Sequence, residues 1–141
     1  MSGAVFLDSN ILIYAALQPD RRSDAARTLL SAGGVISVQV LNEFANVARR
    51  KFRRSWPEIT SALSDIRALF PAPLPLTIAT HEAAVTLAER FGFAFYDAVI
   101  VASALEAGCT TLMSEDTQDG LVVEARLTVR NPFLRPSAPL D

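Results

Sequence analysis

The chain has 141 residues, half of them hydrophobic, and a net charge of −2, which is the size of one domain with a sizeable core and no linker or second module. Its longest apolar run, Ile11 to Leu17, is far short of the roughly 20 residues that cross a bilayer, and Asp8 interrupts the N-terminus where a secretory signal would continue, so a soluble, cytoplasmic protein without a membrane partner is expected. Cys109 is the only cysteine and His81 the only histidine, which excludes an internal disulfide and a cysteine-held zinc ion.

In chain order, Ala4 to Leu7 reads as a short buried strand, and Asp8-Ser9-Asn10 offers caps to a helix from about Ile11. Ser23 can cap a second helix to about Ala32, ended by Gly33-Gly34, and Val35 to Ser37 is a second short strand. A longer helix follows, with Leu41, Ala45, Ala48 and Phe52 as its apolar stripe and Glu43 off that stripe. Ser55-Trp56-Pro57-Glu58 has the spacing of a capping box and starts the next helix, whose buried face is Ile59, Leu63, Ile66 and Phe70; Trp56 reads as a packing residue. Pro71, Pro73 and Pro75 break the pattern, leaving Leu74 to Ile78 as a strand at best before a helix from Thr80 to Phe91. Asp97 opens a very apolar helix to Ala107, stopped by Gly108, and Thr110 to Met113 is the strand after it. A last strand, Leu127 to Val129, ends at Asn131-Pro132, and a proline-containing tail runs from about 132. Strands alternating with helices predict a three-layer α/β/α sandwich with a central, mainly parallel sheet, formed by residues 1–141 as a single domain.

Four acids, Asp8, Glu43, Asp97 and Asp116, each follow an apolar stretch or open a helix. Singly, each has an ordinary explanation as a cap, a turn former or a solvated helix residue. Together they are delivered from separate βα units to the crevice beyond the carboxyl ends of the strands, where four carboxylates repel one another unless a cation sits among them. With no nitrogen or sulfur donors at hand, the expected ion is Mg²⁺ or Mn²⁺, whose retained water shell suits hydrolysis of a phosphodiester.

Of thirteen basic residues, five fall within Arg49 to Arg54, so a basic face exists despite the acidic total. Arg49, Arg50, Arg53 and Arg54 are candidates for nucleic-acid phosphate contacts; cations at a helix end also stabilise its dipole without any ligand, and both readings stay open.

Leu7-Asp8-Ser9-Asn10, Val40-Leu41-Asn42-Glu43-Phe44, Tyr96-Asp97-Ala98 and the segment Ser114-Glu115-Asp116-Thr117-Gln118-Asp119-Gly120 together resemble the PIN-domain ribonucleases, and within them the VapC-type toxins of toxin–antitoxin pairs. The resemblance implies a PIN fold and a metal-dependent endoribonuclease that leaves a 5′ phosphate and is held inactive by a cognate antitoxin. It also implies a homodimer. Asp8, Glu43, Asp97 and Asp116 match the family's metal-binding and catalytic quartet, and Asp119 matches an acid that supports it from just outside. Ser9, Asn10 and Ser114 are then groups able to orient a carboxylate or a bound water. A phosphoaspartate phosphatase would carry a second acid two residues beyond Asp8, where this chain has Asn10, and a lysine near the site, whereas the sole lysine, Lys51, is placed at the basic helix end. The rival of a different kind is a non-catalytic RNA- or protein-binding module on the same fold.

Overall fold

A computed structural model describes residues 3–134 of the chain. The elements in order are β1 (Val5–Leu7), α1 (Ser9–Ala16), α2 (Ser23–Ala32), α3 (Val38–Arg50), α4 (Trp56–Leu69), α5 (Ile78–Phe91), α6 (Phe95–Glu106), β2 (Thr111–Met113), β3 (Val122–Val123) and β4 (Leu127–Arg130). The strands lie in the order β1-β2-β4-β3, with β1 parallel to β2, β2 parallel to β4, and β3 antiparallel to β4. The result is the expected three-layer α/β/α arrangement. The core includes Phe6, Leu7, Ile11, Phe44, Ile100, Leu112 and Leu127, all at most 1% exposed. Among the described residues no helix is long and apolar enough to cross a membrane.

The expected strand at Val35–Ser37 is reduced to single parallel bridges, Phe6 with Val35 and Ser37 with Leu74, which extend the sheet past β1 without forming a full ladder. Gly34 permits this approach: its φ of +144 is open to few side chains, and a Cβ there would stand 2.7 Å from the Val5 carbonyl oxygen. The proline-flanked Leu74 contributes only that one bridge, and α5 begins at Ile78, two residues earlier than expected, because Thr77 caps it and Thr80 answers from the third helical position. The stripe of α3 centres on Val40, Phe44 and Ala48, with Leu41, Ala45 and Phe52 half-buried beside it. The capping box at Ser55 and Glu58 forms as expected, but Trp56 is 57% exposed and packs no core. It is the first helical residue, held at the helix mouth by the cap and by Pro57, and its contact is with the Arg49 guanidinium rather than the core. The expected tail begins in the described part with Phe133, which is buried edge-on against Tyr14; beyond Leu134 it lies outside the described residues.

Candidate metal centre

The register of the sheet builds the centre. Leu7 pairs with Met113, so the residues that follow both strands emerge side by side, and the Asp8 N–H donates to the Met113 carbonyl at 3.0 Å. Asp8 caps α1, accepting from the Ser9 N–H at 2.6 Å, and also accepts from the Ser114 hydroxyl at 2.7 Å. Helix α3 begins directly after the extended segment bridged to β1, and so carries Glu43 to the same carboxyl edge of the sheet. Helix α6 returns into β2, which places its first turn, and Asp97 within it, at that edge too. Asp116 follows β2 in the loop.

Glu43, Asp97 and Asp116 line one cavity of about 390 Å³, together with Ser9, Asn10, Asn46, Val47, Lys51 and Glu115. Asp8 lies buried beneath it, 2% exposed. Each of the three smaller polar residues singled out in the sequence holds an acid: Ser9 donates to Glu43 at 2.8 Å, Asn10 to Asp116 at 3.1 Å, and Ser114 to Asp8 while its oxygen accepts from the Asp116 N–H. Asp97 has no hydrogen-bond donor among the described residues. It does not cap α6 either; the helix starts at Phe95, and Ala94 stands at the cap without a side-chain bond. Asp119 is turned away, its carboxylate accepting from the Asn131 N–H at 2.8 Å, outside the cavity that the other acids share.

The electrostatics are those of crowded carboxylates. Burial pushes Asp8 up to about 7, against the opposing hydrogen bonds from Ser114 and Ser9, with Glu43 and Asp116 adding repulsion. Burial also raises Asp97 to about 6, assisted by the charges of Asp116 and Glu43. Among the described residues no three acidic, histidine or cysteine side chains already close into a metal shell. The donor set nevertheless fits a hard divalent cation: carboxylate, hydroxyl and amide oxygens surround the cavity, while Cys109 is buried at the opposite, amino end of β2 and the His81 ring packs edge-on against Phe95 on α5 and α6.

Two features were not anticipated from sequence. Gln39 donates to Glu43 at 3.1 Å, a one-turn pair on α3 that the four-residue spacing signals once the helix is assigned. Glu115 accepts from the Tyr14 hydroxyl at 2.5 Å and from Arg22 at 2.9 Å, while the Arg22 guanidinium stacks 4.0 Å from the Tyr14 ring centroid; these partners are about a hundred positions apart, and no local pattern joins them. One exclusion also needs correction: Lys51 does line the acid-bearing cavity, so only Asn10, and not a distant lysine, argues against a phosphoaspartate phosphatase. The arginines lie further along: Arg49, Arg50 and Arg53 line a second cavity of about 380 Å³ at the end of α3, and Arg54 is half-buried beside it.

The PIN-domain family profile matches residues 5–119, and the chain belongs to that family. No curated protein matches it in sequence. Among solved structures it is similar to the Mycobacterium tuberculosis toxin VapC20, described as cleaving the sarcin–ricin loop, with a TM-score of 0.62 and 18% identity over 80% of this chain and 92% of that one. It is similar to a toxin–antitoxin complex from Klebsiella pneumoniae, with a TM-score of 0.62 and 21% identity over 92% and 98% of the two chains. It is also similar to VapBC2 of Rickettsia felis bound to a promoter DNA fragment, with a TM-score of 0.61 and 19% identity over 90% and 97%. At these identities the likeness is one of fold.

Proposed function

We propose that this chain is a cytoplasmic, Mg²⁺- or Mn²⁺-dependent endoribonuclease, the toxin of a toxin–antitoxin pair. The observation that carries the reading is the convergence of Asp8, Glu43, Asp97 and Asp116 at one edge of the sheet, three of them around one cavity. Four acids whose burial and mutual repulsion already raise two of them are costly to keep together without a cation. Asp8, Glu43, Asp97 and Asp116 would hold the ion, which when bound polarises the scissile phosphate and activates water for in-line hydrolysis. Ser114 and Ser9 fix Asp8 and Glu43, and Asn10 fixes Asp116, so the carboxylates are oriented before substrate arrives. Asp97, uncommitted, is free to turn toward ion or water. Asp119 supports the loop after Asp116 through Asn131 rather than reaching the site itself. Arg49, Arg50, Arg53 and Arg54 supply phosphate contacts beyond the acids.

The toxin part of the reading is supported by family membership and by folds shared with proteins described as toxins or solved as toxin–antitoxin complexes. A cognate antitoxin is supported by the likeness to toxin–antitoxin complexes, and a homodimer is proposed on the family resemblance alone. Expression of the chain alone tests it: growth arrest that is relieved by the product of an adjacent small reading frame, and absent for Asp116→Asn, is expected. Growth unaffected by the parental protein at high expression would remove the toxin assignment.

A further inference from the structure

Helix α3 connects the acids to the cations along one face. Glu43, Asn46, Val47 and Arg50 follow at spacings of three and four, so they share a stripe, and Arg50 lies about 10 Å along the axis from Glu43. Asn46, Val47 and Lys51 line the acid-bearing cavity; Arg49, Arg50 and Arg53 line the cavity at the helix end. Among the described residues none of Arg49, Arg50, Lys51, Arg53 or Arg54 forms an ion pair, which is also true of Arg21, Arg67, Arg126 and Arg130, so what sets this group apart is its clustering at one helix end. Arg53, which lines the cavity at the helix end, adopts a left-handed φ of 53, where glycine would be less strained. Beside that cavity stands Trp56, 57% exposed, with the guanidinium of the cavity-lining Arg49 over one face of its ring, 5.0 Å from the centroid.

Resting on the ribonuclease reading, we propose that this track binds a single-stranded flank of the RNA, with Arg50, Lys51 and Arg53 on successive phosphates and an unpaired base stacked on Trp56. A nucleic-acid strand is the ligand that presents regular anions and flat rings together, and the track begins at the acids that would cut it. An indole at the surface offers its face only to a base that has left its own stack, which favours a loop or single strand over duplex. Trp56 is thus a base-binding residue set apart from the reacting atoms. Replacing it leaves the capping box of Ser55 and Glu58 in place.

Trp56 is the only tryptophan, so its emission reports the site directly. In the Asp116→Asn chain with Mg²⁺, where RNA binds uncut, an unstructured 12-nucleotide RNA should quench the emission, with the same RNA annealed as a duplex and a polyglutamate of equal charge quenching far less. By anisotropy of a labelled strand, Trp56→Ala in that background should bind about tenfold more weakly and Trp56→Phe close to the parent, with thermal midpoints unchanged. Parental binding by Trp56→Ala, with RNA cleavage by the otherwise unaltered protein intact, would overturn the subsite and leave the nuclease reading standing. Equal quenching by the duplex would overturn the choice of single strand, and equal quenching by polyglutamate would make this a protein-docking surface instead. Neither RNA binding nor cleavage by any form would overturn both readings together.

Discussion

The Ser114 hydroxyl donates to the Asp8 carboxylate at 2.7 Å and, through the same oxygen, accepts from the Asp116 N–H at 3.1 Å, so one fully buried serine ties together two acids that follow the neighbouring strands β1 and β2. Ser114→Ala removes both bonds while adding no volume. Loss of a bond that favours the ionised form raises Asp8 further, and affinity for Mg²⁺ or Mn²⁺ should fall about 10- to 100-fold with the fold retained. Calorimetric titration of the metal, with a thermal melt as control, measures this; parental affinity would show that the serine merely fills space.

The raised acids make a pH prediction for the metal-free protein. Asp8 stands at about 7 and Asp97 at about 6 in the folded chain, against 3.8 when unfolded, so between about pH 4 and 7 the native state holds more protons than the unfolded one. Stability is therefore greatest at the acidic end of that window and declines as pH rises through 6 and 7. Added Mg²⁺ favours the ionised carboxylates, and its stabilising shift should grow over the same range. Melting curves in chelator and in Mg²⁺ at pH 5, 6, 7 and 8 test both trends, and a midpoint rising with pH in chelator would contradict the first.

Asp97 allows the fold to be tested apart from the proposed metal role, because it neither caps α6 nor accepts a hydrogen bond among the described residues. Asp97→Asn should leave α6 intact, raise the melting midpoint of the metal-free protein by relieving repulsion from Asp116 and Glu43, and abolish RNA cleavage. A lowered midpoint in chelator would mean that its charge supports the helix through the N-terminal dipole more than it opposes its neighbours.

Arg53 carries a prediction of opposite signs. Its left-handed backbone suits glycine, so Arg53→Gly should stabilise the protein by up to about 1 kcal/mol while weakening RNA binding and flattening its salt dependence. Urea melts and salt-dependent binding isotherms give the two readings. A stabilised variant with parental RNA affinity would return this arginine to a purely structural account.

The sequence displayed what is local and concealed what is not. Asp8 as a cap, Gly33-Gly34 as a helix stop and the Ser55 box are short-range signals, and each formed. The two-residue strand β3 is too short for periodicity, and its turn to β4 uses Glu124 and Ala125 at φ 56, where the customary signal would be Asn-Gly. Helix α6 starts two residues before Asp97, where the sequence signal points, because Ala94 at its cap offers no capping side chain. By residue type Trp56 reads as a packing residue, since large apolar side chains usually pack, yet at the first position of the capped helix α4 it is largely exposed. The acids themselves were legible as a set, whereas the bonds from Ser9, Ser114 and Asn10 that orient them span 34 to 106 positions and exist only once β1 and β2 are in register.

The measurement that bears most directly on the carboxylate centre is cleavage of a structured RNA by the purified chain in Mg²⁺, in Mn²⁺ and in excess chelator, beside Asp116→Asn. Cutting in either metal to 5′-phosphate ends, none in chelator, and a loss of at least about a hundredfold in the variant are expected, because Asp116 lines the cavity with Glu43 and Asp97. Cleavage undiminished by chelator, or parental cleavage by Asp116→Asn, would contradict it.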